Sequence, residues 1–157
     1  LSMKNLPRRS FLKGTLATGA AAVAATVLPF SAMADWPKAA FEAKTVEDAI
    51  MALLGSPDTV ASSAITIEVP EIAENGAVVP VKVNSTLAKV ESITLISEKN
   101  PIPLVAQFKF ESDMVQPFVA TRIKMGETSN VVAVLKAEGK LYVARKEVEV
   151  TIGGCGG

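Results

Sequence analysis

The sequence predicts a mainly β domain, an antiparallel sandwich of immunoglobulin type with about seven strands, opened by one short helix. Three observations carry this. From Ser63 to Ile152 apolar residues recur at alternate positions, the period of a half-buried strand. Turn-forming residues interrupt that alternation roughly every dozen positions, the spacing of an all-β domain. Only one stretch shows helical spacing, so the crossover helices that a parallel sheet needs are missing.

The chain has 157 residues, of which 49% are hydrophobic and 20% charged, the make-up of one folded domain. Residues 1–34 stand apart from it. Lys4, Arg8, Arg9 and Lys13 precede an apolar run of 17 residues, 14–30, and Ala32-Met33-Ala34 closes the segment without a single acid. A basic region, an apolar region and an A-x-A cleavage site in that order are a signal peptide. Arg8, Arg9, Phe11, Leu12 and Lys13 resemble the twin-arginine export signal. Pro7 departs from that pattern at its most tolerant place. The run is weakly apolar, contains Gly14, Gly19 and Pro29, and falls short of the ~20 residues of a spanning helix. A periplasmic location through the twin-arginine route is expected, with no stable membrane insertion after cleavage.

The helix comes next. In "TVEDAIMALLG" Thr45 stands as N-cap, Glu47 and Asp48 lie in the first turn, and Gly55 is the stop. Val46, Ala49, Ile50, Leu53 and Leu54 share one face, expected to pack on a sheet. The strands follow in order. "AITIEV" sets Ile65, Ile67 and Val69 against Thr66 and Glu68; after the Glu74-Asn75-Gly76 turn, "VVPVKVN" aligns Val79, Val81 and Val83. Pro80 cannot donate to a ladder, which predicts an edge position or a bulge for this strand. "ESITLIS" precedes the Asn100-Pro101-Ile102-Pro103 break, and "LVAQFKF" then groups Leu104, Ala106, Phe108 and Phe110. "FVATRIKM" alternates Val119, Thr121, Ile123 and Met125 with their neighbours; the rest closes as a hairpin about Glu138-Gly139, with Val148, Val150 and Ile152 on one face. Residues 35–152 thus form one sandwich domain, and 153–157 a tail.

The composition excludes several functions. There is no histidine and one cysteine, so Ser-His-Asp and Cys-His catalysis, and zinc, haem or iron–sulfur ligation, are beyond this chain alone. No cofactor is expected. Of 16 acidic and 16 basic residues, the signal holds four bases and no acid, leaving twelve bases against sixteen acids. A mildly acidic domain offers no footprint for nucleic acid or anionic lipid. The pairs Glu147/Glu149 and Glu71/Glu74 read as solvated surface charge. Gly55, Gly76, Gly126 and Gly139 are scattered singly and make no phosphate loop.

The remaining chemistry lies in "TIGGCGG". Gly153, Gly154, Gly156 and Gly157 flank Cys155, giving the thiol backbone freedom and no steric cover. Ile152 is the last residue to continue the strand alternation, and three further residues carry the Cys155 Cα at most ~10 Å from it. A lone thiol in an oxidising compartment points to an intermolecular bond or a reactive group. With no base or fixed cation beside it, its activation is expected from other proteins. That describes a carrier arm rather than a catalytic site. A disulfide-linked dimer through Cys155 is also chemically open.

The twin-arginine signal, the short helix, the sandwich and the Gly153-Gly154-Cys155-Gly156-Gly157 ending together resemble the SoxY family of sulfur carriers in bacterial thiosulfate oxidation. The resemblance implies that Cys155 is the point of covalent substrate attachment. It implies that a c-type haem enzyme couples thiosulfate to the thiol, that a hydrolase releases sulfate, and that a sulfur dehydrogenase acts where the organism has one. It also implies a heterodimer with a SoxZ-like subunit. Two other classes stay open. One is a ubiquitin-like carrier with a thiocarboxylate on Gly157, against which the export signal argues; the other is a non-catalytic periplasmic binding or adhesion module.

Overall fold

The computed structural model describes residues 37–112 and 115–152. Two helices, α1 (Lys38–Glu42) and α2 (Val46–Leu54), precede the strands β1 (Val60–Ala61), β2 (Ile65–Glu68), β3 (Ile72–Ala73), β4 (Val79–Ser85), β5 (Val90–Ser97), β6 (Leu104–Lys109), β7 (Phe118–Ile123), β8 (Ser129–Ala137) and β9 (Lys140–Val150). Seven of these are four residues or longer. They form two sheets, one ordered β1-β9-β8-β5-β6 with β3 also on β9, the other β2-β4-β7. The immunoglobulin-like sandwich is therefore the fold.

The predicted helix is capped as its sequence dictates. Thr45 Oγ1 accepts from the Asp48 N–H at 3.1 Å, which satisfies one of the donors a helix start leaves open. At the other end Gly55 takes φ +83° and its N–H returns to the Met51 carbonyl, a left-handed geometry that a Cβ would disfavour. Val46, Ala49 and Ile50 are buried against Ile96, Leu104, Val132, Val134, Leu141 and Val143 on the outer face of the large sheet. The inner face of that sheet meets the small sheet in a second core containing Ile93, Leu95, Val131, Leu135 and Val148, with Val79, Val81 and Val83 opposite. The described domain thus has three layers. The large sheet is buried on both sides at β8, whose residues 131–135 are all 0% exposed, and this explains the unbroken apolar run "VVAVL".

Four features depart from the sequence reading, each for a physical reason. Helix α1 has five residues and no side-chain cap, too little for periodicity to register. Strands β1 and β3 are two residues each and pair parallel to β9. Pro80 lies on the central strand of the small sheet, not on an edge, and in unbroken register with β7. It is tolerated because β2 reaches only as far as Lys82, so that Pro80 stands opposite Arg122 on one side and beyond the end of β2 on the other. Finally, the face grouping Leu104 with Phe108 is split by a register shift: Leu95 pairs with Ala106 but Ile96 with Leu104. The extra residue, Val105, turns Leu104 toward the helices while Phe108 packs between the sheets.

The β8–β9 hairpin turns on Glu138 (φ 50°) and Gly139 (φ 74°), the paired positive φ values of a two-residue turn matched to strand twist. Its return strand, β9, is the longest, at eleven residues, and leads toward the tail.

Candidate functional site

Cys155 with Gly153, Gly154, Gly156 and Gly157, and likewise Arg8 and Arg9, lie outside the described residues. What the structure does place is the ground from which the tail departs. β9 pairs with β8 from Lys140 to Val148, and the chain continues to Ile152 beyond the reach of β8. There a second segment, 71–77, takes over. The Glu149 N–H donates to the Glu71 carbonyl at 2.9 Å, the Thr151 N–H to the Ala73 carbonyl at 3.1 Å, and the Gly76 N–H to the Ile152 carbonyl at 2.7 Å. Thr128 Oγ1 accepts from the Val150 N–H at 2.9 Å, and Thr151 Oγ1 donates to the Glu74 carbonyl at 3.2 Å.

Five hydrogen bonds across four residues hold the root of the tail at a place where few side chains are buried. The strap is itself anchored. Gly76 is buried, and its carbonyl accepts from the Met125 N–H at 2.7 Å; Asn75 Oδ1 accepts from the Ala77 N–H at 2.8 Å, the local turn for which asparagine is suited. Ala73 is buried under Val150 in parallel register. Nothing in the sequence pattern announced this footing. Its nearest signal was the Glu74-Asn75-Gly76 turn.

The side chains around the root point outward. Ile152 is 68% exposed, Ile72 56% and Val78 54%, and Glu71, Glu74 and Glu149 are exposed beside them. Glu147 and Glu149 lie on the solvent face of β9, as the alternation required. Arg145 and Lys146 are exposed further back on the strand.

Elsewhere the described residues line two open clefts larger than a third, of about 270 Å³, beside Val69 and Pro70. One of about 490 Å³ lies between the end of α2 and the large sheet, lined among others by Leu54, Gln107, Phe110 and the Glu91–Lys136 pair. The other, of about 550 Å³, lies over Pro80, Lys82, Ala120 and Arg122 on the small sheet. Neither adjoins the root. Among the described residues no three Asp or Glu side chains gather as a metal-ligand set, and no helix is long and apolar enough to cross a membrane.

Residues 50–155 match the family model described as "Sulfur oxidation protein SoxY", a match that runs through the sandwich and ends on Cys155. Residues 5–27 match the twin-arginine translocation signal, so the chain is exported to the periplasm by that route, with Arg8 and Arg9 inside the matched stretch. Among solved structures, the sulfur carrier protein SoxY from Chlorobium limicola f thiosulfatophilum is similar at 44% identity and a TM-score of 0.63, covering 69% of this chain and 97% of that one. A superoxide reductase (neelaredoxin) from Ignicoccus hospitalis is similar at 22% identity and a TM-score of 0.49, covering 55% of this chain and 80% of that one. Comparison with curated proteins gave no match.

Proposed function

The chain belongs to the SoxY family of sulfur oxidation proteins, and from that premise we propose that it is a periplasmic sulfur carrier whose cargo is bound covalently to Cys155. The observation that supports this most directly is the family match ending on the sole cysteine, on a tail whose root is pinned by backbone bonds. A thiolate is the nucleophile in sulfur transfer, and a tether of glycines presents it without a side chain in the way.

The chemistry asked of Cys155 is simple. In loading, the Cys155 S–H and the terminal sulfur of thiosulfate join in an S–S bond, giving a cysteine S-thiosulfonate; one proton and two electrons leave, the electrons to a c-type haem partner. In unloading, water attacks the sulfonate sulfur under a hydrolase. The S–S bond to that sulfur breaks, sulfate and two protons depart, and a persulfide anion stays on Cys155. A sulfur dehydrogenase, where present, oxidises that persulfide. This chain supplies the attachment atom and its delivery, and the partners supply the catalysis. A SoxZ-like subunit completes the carrier as a heterodimer.

The β-sandwich also separates this reading from its nearest rival, since C-terminal thiocarboxylate carriers of ubiquitin type use a β-grasp fold. The test is the intact mass of the mature protein after exposure to thiosulfate and the haem partner. One thiosulfonate group on Cys155, released by reductant and abolished in Cys155→Ser with the fold unchanged, is the expected result. An adduct on Gly157, or full thiosulfate turnover by Cys155→Ser, overturns it.

A further inference from the structure

From the arm's length and the ground it leaves, we infer that the exposed rim around Ile152 is the docking surface for the active-site mouths of the enzymes that load and unload Cys155, and that those mouths are electropositive. This rests on the carrier reading above. The first argument is geometric. Ile152 is held by the Gly76 N–H at 2.7 Å, so the tether begins there, and three extended residues take the Cys155 Cα at most ~10 Å away. A catalytic group set inside a cleft is within that distance only when the lip of the cleft rests on the surface beside Ile152. The shortness of the arm makes contact with the rim unavoidable.

The second argument is what the rim presents. Ile72, Val78 and Ile152 are large aliphatic side chains more than half exposed. Each lies at or next to the root: Ile72 opposite Glu149 in register, Val78 two residues beyond the Gly76 that holds Ile152. Exposed apolar residues ringed by polar ones mark association surfaces. The ring here is Glu71, Glu74 and Glu149, two of them hydrogen-bonded into the root through their own backbone. The neighbouring turn adds Glu127 and Lys124, which cancel.

The third argument is complementarity of charge. A cleft built for an anionic thiosulfonate must be electropositive where the sulfonate sits, and its mouth then meets an acidic collar with attraction. Such matching raises encounter rates and weakens as salt rises. The cargo and the collar thus select the same sign of partner surface, while the aliphatic tips contribute contact area at the centre.

The test compares loading of Cys155 by the thiosulfate-coupling haem enzyme in the wild-type carrier complex, in a Glu71→Lys/Glu74→Lys/Glu149→Lys variant, in Ile72→Ser/Ile152→Ser, and in Glu138→Lys at the β8–β9 turn, the opposite end of β9 from the rim, as control. Alkylation of Cys155 by iodoacetamide reports thiol access independently of any partner. The expected result is a loss of roughly tenfold or more in kcat/KM for the charge variant, with a flattened salt dependence, a smaller loss for the apolar variant, and wild-type behaviour for Glu138→Lys, all at equal alkylation rates. Loading of the collar variants at the wild-type rate overturns the inference while leaving the carrier reading intact. Loss of the SoxZ-like subunit from the collar variants also overturns it, by making the rim a subunit interface. A wild-type complex in which Cys155 is never loaded removes both.

Discussion

The two ends of β9 are held in place by different forces. At its start, Leu141 and Val143 are buried beneath the helices, β1 pairs alongside at Tyr142 and Val143, and the turn at Glu138-Gly139 closes the hairpin. At its finish, residues 149–152 are held mainly by backbone hydrogen bonds to 71–77 and by two threonine hydroxyls, with Ile152 mostly in solvent. Burial consumes side chains, because a packed residue is unavailable to a partner. Backbone pairing leaves them free. The strand therefore gains its stability at one end and keeps an exposed, well-positioned platform at the other, which is where the carrier reading needs it.

Leu135→Ala attacks the buried half. Leu135 is 0% exposed, pairs with Ile93 and Tyr142, and belongs to the core between the sheets. Truncation removes buried methyl groups and leaves a cavity, for an expected destabilisation of about 2–5 kcal/mol by denaturant titration. Alkylation of Cys155 in the folded fraction should not change. A large change in thiol reactivity would mean that the two ends are mechanically one.

Much of the buried half was legible in the sequence, and the platform was not, for a reason that lies in these same residues. Val79, Val81 and Val83, or Val131 and Leu135, declare their strands because each inward position must be aliphatic to join a core. The helix declares itself through Thr45 and Gly55, whose side chains or lack of one do the capping. The strap uses main-chain groups, which every residue carries, so Glu71, Ala73 and Gly76 show no pattern that distinguishes them from any loop. β3 is too short for a period, and the Val105 register shift and central Pro80 depend on where a neighbouring strand ends. Cys155 was legible for the opposite reason: a lone thiol among glycines can be seen without any fold.

Thr128→Val tests the polar half directly. The variant keeps its shape but deletes the hydroxyl that accepts from the Val150 N–H, and an unpaired amide with a lost partner costs about 1 kcal/mol. If 149–152 opens as a local unit, the Thr151 amide should exchange with deuterium roughly fivefold faster, while amides of β8 stay protected. Uniform acceleration in both would show that the root has no stability of its own, and that the strap merely follows the sandwich.

The smallest expected effect is electrostatic and belongs to the hairpin end. A register shift between Val90 and Ser92 makes Glu91 the extra residue of a bulge, a device that re-aims a side chain; its carboxylate lies 2.8 Å from the Lys136 ammonium. That hydrogen bond holds the Glu91 carboxyl below the ordinary glutamate range; desolvation opposes it, and the charge of Lys136 and a backbone bond from Gly139 add to the lowering. A carboxyl with a lowered folded-state pKa adds stability that is present above its unfolded pKa, ~4.3, and is lost as pH falls through the folded value. Glu91→Gln should therefore melt slightly below the wild type at neutral pH, and the two melting curves should converge below pH ~4 as the carboxyl is protonated. Exposed pairs of this kind are weak and screened by salt, so added salt should shrink the neutral-pH gap as well. Because Glu91 neighbours the β8–β9 turn and not the Ile152 rim, partner-driven loading of Cys155 should be the same in both proteins across that range. A loading rate that followed Glu91 would place the hairpin end, too, in the partner's footprint.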